Sequence, residues 1–196
     1  MRTTDEEKSS IRTIVRRLKS NQPAHEYMAA SASIMQQMEM LPEFADAKTV
    51  MAYWSITGEV FTHDAIRKWS QSRKIILPSV DGDVLQLKQY IGTDNLVAGD
   101  RYQIPEPDGP LFADVESIDL IIVPGIAFDR QNNRMGRGKA YYDKFLQSLR
   151  GTKVGVCFNF QLFNTIPCDA HDIAMDRVIS DVSESRQCLP PDSEFC

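Results

Sequence analysis

The amino-acid sequence predicts an α/β fold, a single domain on a largely parallel central sheet. Three observations predict it. Short apolar runs of strand length alternate with segments of helical periodicity along most of the chain. The run at 119–124 is apolar on successive residues, the pattern of a strand buried on both faces. The 196 residues, 42% hydrophobic and 25% charged, suit one soluble domain with a substantial core. That domain is expected to span 1–180, with 181–196, which holds Pro190 and Pro191, as a frayed tail.

Each element has its own signal. Residues 5–20 carry Ile11, Ile14, Val15 and Leu18 at helical spacing among charges. Pro23 suits the first turn of a second helix reaching Met40, Ala- and Met-rich and core-facing on one side. Residues 48–55 are β-branched and aromatic, as in a strand. Thr62 is the expected N-cap of a helix with Asp64 in its first turn and Ile66 and Trp69 on one face. A short buried strand at 74–78 is followed by an Asp81-Gly82 turn and a half-exposed strand at 84–91. Residues 92–117 are rich in turn formers and read as an ordered surface loop around Pro105-Glu106-Pro107. After the central strand at 119–124, Tyr141, Phe145 and Leu149, with Tyr142 and Leu146, stripe a helix ending near Gly151. Strands at 153–158 and 177–180 complete the sheet.

Composition excludes several functions. A net charge of −5 argues against general nucleic-acid binding, which needs a basic face. No apolar run approaches the roughly 18 residues that cross a bilayer, and Met1 to Lys19 is charged throughout, unlike a signal peptide. Cys157, Cys168, Cys188 and Cys196 have no CxxC spacing. They read as reduced thiols of a cytoplasmic protein, not as a zinc site or disulfide frame.

Chemistry is concentrated in residues 123–143, VPGIAFDRQNNRMGRGKAYYD. Arg130, Arg134, Arg137 and Lys139 fall within ten residues with no intervening acid, in a chain that is acidic overall. Gly136 and Gly138 let backbone approach a ligand, and a helix start follows, so the segment favours an anion. It lies at the carboxyl end of a strand, where open α/β sheets bind ligands. The GxxxxGK[ST] spacing of a P-loop is absent. A solvated basic loop is the bland alternative. Crowded like charges repel unless an anion neutralises them, which favours a nucleotide triphosphate.

Lys8 and Arg12 share a helix face at i, i+4, with Arg16 continuing the row; taken alone, such a row is more often a solvated face. Glu59 could accept two hydrogen bonds from a flat heterocycle bearing an amino group and a ring N–H. Trp54 could lie against that ring, although core packing of Trp54 and capping by Glu59 are the simpler readings. Asp143 and Asp176 form a carboxylate pair suited to Mg2+ beside phosphates, while Asp143 also suits the first turn of a helix. His171-Asp172 reads as a structural pair in a turn. Of Tyr141 and Tyr142, one is expected to pack and the other to turn its hydroxyl toward the ligand.

VPGIAFDR and NRMGRGKAYYDKFL resemble the signature of the 5-formyltetrahydrofolate cyclo-ligase family (5,10-methenyltetrahydrofolate synthetase). The likeness extends, in the family's order, over about residues 8–180. It takes in Lys8 and Arg12, Tyr53 with Glu59-Val60-Phe61-Thr62, Pro105-Glu106-Pro107, and His171 to Asp176. The resemblance implies a three-layer α/β/α sandwich and an ATP-dependent, Mg2+-requiring closure of 5-formyltetrahydrofolate to 5,10-methenyltetrahydrofolate. It implies ATP contacts from Lys8, Ser9, Ser10, Ile11 and Arg12, and from Arg134, Met135, Gly136, Arg137, Gly138, Lys139, Ala140, Tyr141 and Tyr142. Folate would meet Trp54, Glu59, Arg137, Gly138, Lys139, Ala140 and Tyr141. Lys139, Arg137 and Tyr141 would act in catalysis, and Asp143 and Asp176 would hold Mg2+. ATP and a reduced folate are the implied partners of a monomer or weak homo-oligomer.

Two departures stand out. Ala140 replaces the family's usual glycine, which narrows the backbone there. Asn132-Asn133 replaces a turn that commonly contains glycine, but Asn also adopts positive φ. Two other classes fit the same anion-binding loop: an α/β enzyme of phosphosugars or coenzyme A esters that needs no ATP, and a non-catalytic nucleotide-binding module.

Overall fold

The computed structural model describes residues 3–20, 22–81, 84–99, 105–138, 141–169 and 171–181, without the side chains at 80, 81, 84, 141 and 144. The tail beyond 181, the turn at Gly82, Ile104, Lys139 and Ala140 therefore lie outside the described residues.

Helices α1 (Thr4–Ser20), α2 (Ala24–Glu39) and α3 (Pro42–Asp46) lead into strand β1 (Thr49–Met51) and helix α4 (His63–Trp69). The hairpin β2 (Lys74–Asp81) and β3 (Val84–Gln89) follows, then a separate antiparallel pair, β4 (Leu96–Ala98) and β5 (Pro105–Pro107). The second half contains β6 (Leu120–Pro124), β7 (Ala127–Asp129), β8 (Arg134–Met135), α5 (Tyr141–Leu146), β9 (Thr152–Cys157), β10 (Leu162–Phe163) and β11 (Arg177–Ser180).

The six-stranded sheet runs β11-β9-β6-β1-β2-β3 and is parallel except for β3 on the edge. The expectation of a largely parallel sheet is met. Period-two alternation supplies both faces of the core. Val50, Ile75, Leu77, Leu120, Ile122, Val154 and Val156 face α2, α3 and α4, where Ile34, Met38, Phe44, Ile66 and Trp69 meet them. Met51, Ile76, Ile121, Val123 and Cys157 face the other way, toward Leu146 and Leu149. Helices on both faces make three layers. On α2 the buried residues are Ser31, Ile34, Met35 and Met38, at i, i+3, i+4 and i+7, the core-facing stripe expected of that run.

Strand order reverses next to β1. The chain builds outward from β1 to β2 and β3, then crosses back to lay β6 on the opposite side of β1. The carboxyl ends of β1 and β6 therefore diverge into a crevice, the usual ligand position in open parallel sheets. Both chemistry-bearing segments leave from these two ends.

Several elements differ from expectation. The strand expected at 48–55 stops at Met51, because the chain beyond it is captured by a local network. Thr62 does not cap α4. Its hydroxyl is buried, donates to the Tyr53 carbonyl (2.6 Å) and accepts from the Ser55 N–H (3.2 Å), while the Thr62 N–H donates to Ser55 Oγ (3.1 Å). The loop at 92–117 contains the β4–β5 pair. Helix α5 ends at Leu146, short of the expected Gly151. Leu18, expected in the apolar stripe of α1, is 36% exposed. Helix α1 packs on a second, three-stranded sheet, β10-β7-β8, through Val15 against Ala127, Met135 and Ile166.

Candidate active site

The cation-rich segment is a hairpin. Asp129, Arg130, Gln131 and Asn132 form a turn closed by the Asn132 N–H on the Asp129 carbonyl (3.0 Å), and Asn132 takes φ +64°. A type I turn followed by a left-handed residue is a common three-residue hairpin connection, and Asn tolerates that conformation. The buried Asp129 carboxylate fixes the turn by accepting from the Gln131, Asn133 and Ile166 N–H groups and from Asn133 Nδ2. The hairpin base is tied to the sheet by Gln161, whose Nε2 donates to the Gly125 and Ile126 carbonyls at 3.0 Å each.

Beyond β8 the chain enters the crevice. Arg12 reaches across from α1, donating through Nε to the Gly136 carbonyl (3.2 Å). Its guanidinium lies against Gly138, where φ is +97° and a Cβ would sit 3.5 Å from Nη2. Opposite, the β1–α4 loop is folded into a tight turn. The Glu59 N–H donates to the Ile56 carbonyl (3.0 Å) and Gly58 takes φ +80°, as the third residue of a type II turn does. Tyr53 Oη donates to the Val60 carbonyl (3.0 Å), so both sides of the turn are held. Glu59 stands at its tip: Oε2 accepts from the Ile56 N–H (3.2 Å) and Oε1 from Arg137 Nη2 (2.6 Å). That ion pair joins the segment after β6 to the segment after β1.

The other expected site residues divide into two groups. Gly136, Arg137, Gly138 and Arg12 line the crevice. Ser9 is exposed, Ser10 and Ile11 are half-buried on α1, and Met135 is buried against α1. Arg134 is only 4% exposed; Nη2 donates to Asp143 Oδ1 (2.6 Å) and Nη1 to the Pro124 carbonyl (3.4 Å), so it is already committed to the protein. Lys8 is buried and paired with Asp169 Oδ2 and Asp172 Oδ2, both at 2.6 Å. Burial pulls its pKa down, but the hydrogen bonds it donates to both carboxylates and their charge outweigh this and raise it. Arg16, expected to continue the α1 row, is exposed.

One face of Trp54 is covered by His63 (centroids 3.9 Å apart, planes 13° apart), and Tyr90 lies nearly parallel at 5.9 Å. Burial lowers the His63 pKa, and its Nε2 lies 2.9 Å from the Ser55 carbonyl. Tyr142 packs with the second core cluster, and burial, then the nearby Glu59 charge, push its hydroxyl pKa up, while the Tyr141 side chain lies outside the described residues. Asp143 stands at the carboxyl edge through Arg134. Asp176 accepts from the Lys153 N–H (2.7 Å), near the amino end of β9. Lys153 and Val156, the strand partner of Pro124, are three residues apart, about 10 Å along the sheet. Among the described residues no group of three or more His, Cys, Asp or Glu side chains converges on a metal position.

A family model described as the 5-formyltetrahydrofolate cyclo-ligase family matches residues 4–181. The chain belongs to that family. The 5-formyltetrahydrofolate cyclo-ligase of Haemophilus influenzae is 26% identical over 179 residues, 87% of this chain and 95% of the relative. That of Saccharomyces cerevisiae is 29% identical over 178 residues, 77% and 84% of the two chains. The NMR structure of the Aquifex aeolicus 5,10-methenyltetrahydrofolate synthetase superposes with a TM-score of 0.81 at 34% identity over 90% of each chain.

For this cyclo-ligase family member, sequence reasoning missed the residues that hold the crevice in shape. Ser55 and Thr62 act through partners seven to nine residues away, and Asp129 and Gln161 reach backbone groups 35 to 37 residues away, at spacings that no periodicity reports. The Thr57-Gly58 turn and Lys19, seven residues beyond Arg12 and hence on the same helix face, carried signals that the spacing could have revealed.

Proposed function

We propose that this protein closes 5-formyltetrahydrofolate to 5,10-methenyltetrahydrofolate with ATP, releasing ADP and phosphate. The observation that supports this most is the Arg137–Glu59 pair at 2.6 Å. It puts a cation loop suited to a triphosphate beside a turn-held carboxylate suited to an amino-heterocycle, so a γ-phosphate and a pteridine-borne oxygen can be neighbours.

Electron donation from N5 makes the formyl oxygen nucleophilic. It attacks the γ-phosphorus in line, the bond to the β,γ-bridging oxygen breaks, and ADP leaves. N10 adds to the O-phosphorylated iminium carbon and gives up its proton to solvent. The C–O bond then breaks, phosphate departs, and N5–CH–N10 closes as an amidinium. No protein nucleophile is needed, so the residues act by positioning and neutralisation. Arg12, Arg137 and Lys139 spread the triphosphate charge, with Tyr141 beside them. Glu59 orients the pteridine, with Trp54 meeting it by the part of its ring that His63 leaves open. Asp143, on the same sheet edge as the cation loop, is the carboxylate we assign to Mg2+; Asp176, expected as its partner, lies at the amino end of β9 and does not converge with it. Bound at Asp143, the ion would supply further neutralisation of the phosphates.

The test is a spectrophotometric assay of methenyltetrahydrofolate formation with and without ATP and Mg2+. Product is expected only when both are present. Arg137→Ala and Lys139→Ala are each expected to cut kcat by on the order of 10³, as losing one phosphate-facing cation does in other phosphoryl transfers, without unfolding the chain. An absence of ATP dependence would point to the phosphosugar or coenzyme A ester enzyme, and nucleotide binding without product to a binding module.

A further inference from the structure

On α1, Lys8, Arg12, Val15 and Lys19 stand at i, i+4, i+7 and i+11, one stripe along the helix facing the second sheet and the crevice. The first is clamped by two aspartates and the second lies on Gly136 and Gly138. Lys19 ends the stripe at the other wall, beside the Glu59 turn. A Cβ on Gly58 would sit 3.4 Å from its Cδ and 3.7 Å from Nζ, so the ammonium runs directly against that turn. Glycine is favoured there by the positive φ, and the Lys19 side chain packs on it at ordinary van der Waals distance. Lys19 is half-buried and forms no ion pair among the described residues, although Glu59 and Arg137 are both within electrostatic reach. Burial pulls its pKa down, Glu59 raises it and Arg137 lowers it further.

The arrangement has a consequence once both substrates bind. Arg137 is the direct partner of Glu59 Oε1, yet the reaction asks it to turn to the γ-phosphate. Glu59 would then be a largely buried carboxylate that has lost its guanidinium partner. We propose that Lys19 is a positioning residue for the folate: its ammonium, lying against the Gly58 turn, keeps the Glu59 carboxylate aimed when Arg137 moves to ATP. The Glu59–Arg137 contact then works as an exchange. The heterocycle's amino group and ring N–H take the place of the guanidinium, and Lys19 supplies the charge that Arg137 withdraws. This rests on the activity proposed above.

The experiment is steady-state kinetics of the wild type, Lys19→Met and Lys19→Arg, varying folate and ATP separately, with thermal melts of each. Lys19→Met is expected to raise the folate KM about tenfold while the KM for ATP and kcat change little, the signature of lost uniform binding at one subsite. Lys19→Arg, which keeps the charge, is expected to restore most of the folate KM. A purely structural lysine would instead lower the melting temperature and disturb both substrates alike. Wild-type turnover with a folate KM within about twofold of normal in Lys19→Met overturns the role of Lys19 alone; no product from the wild type overturns the activity and this proposal together.

Discussion

Phe128 shows how closely single residues are fitted around the crevice. Its ring is fully buried where β7 crosses the main sheet, wedged over two glycines. A Cβ at Gly125 would lie 2.6 Å from the ring and one at Gly155 2.4 Å. Neither glycine needs a left-handed backbone; both are required because the ring occupies the side-chain space. Gly155→Ala is therefore expected to lower the unfolding free energy by about 1–3 kcal/mol, the usual range for overpacking a filled core. Urea denaturation reads this directly, and a wild-type midpoint would mean the Phe128 ring gives way freely. A glycine inside an apolar strand signals a close approach in general, and only the fold identifies the Phe128 ring as what approaches Gly155.

Among the elements, α1 is held to the body of the protein by apolar contact at Val15 and by the Lys8 clamp on Asp169 and Asp172. The pH dependence follows from the two shifts. Burial raises the Asp172 pKa, but the Lys8 hydrogen bond, the Asp169 N–H and the Lys8 charge together bring it below its ordinary 3.8. Its contribution is thus present above pH 3.8 and is lost as pH falls through the lowered folded value. The Lys8 pKa is raised above 10.5, so its contribution is present below that value and is lost only as pH rises through the folded one. Lys8→Met is expected to cost about 1–2 kcal/mol at neutral pH, discounted because Asp169 is half exposed. The difference from wild type should shrink in acid below pH 3.8. An unchanged difference at pH 3 would mean that packing of the Lys8 stem, not its charge, holds the helix.

At the scale of the whole molecule, the sheet order brings the ends of β1 and β6 together and makes a two-substrate site from segments about eighty residues apart. The Mg2+ proposed above is expected to serve the reaction and not the fold. Chelation is expected to stop turnover while the ligand-free melting temperature stays where it is. Unfolding on chelation would instead reveal a structural ion.

By itself the sequence determined the α/β class, the helix stripe on α2, the parallel core strands, the placement of the cations at a strand's carboxyl end and a turn at Asn132-Asn133 that tolerates positive φ. These are local matters: residue alternation, helical spacing and the backbone freedom of single side chains are written in consecutive residues. Only the tertiary structure decided that Arg134 and Lys8 are already paired inside the protein, that Arg16 faces solvent while Lys19 faces the crevice, and that Thr62 staples a loop and leaves its helix uncapped. Each depends on which distant group arrives within hydrogen-bond or Coulomb range. A buried cation takes the partner that desolvation makes most favourable, and that partner is set by the order of strands in the sheet.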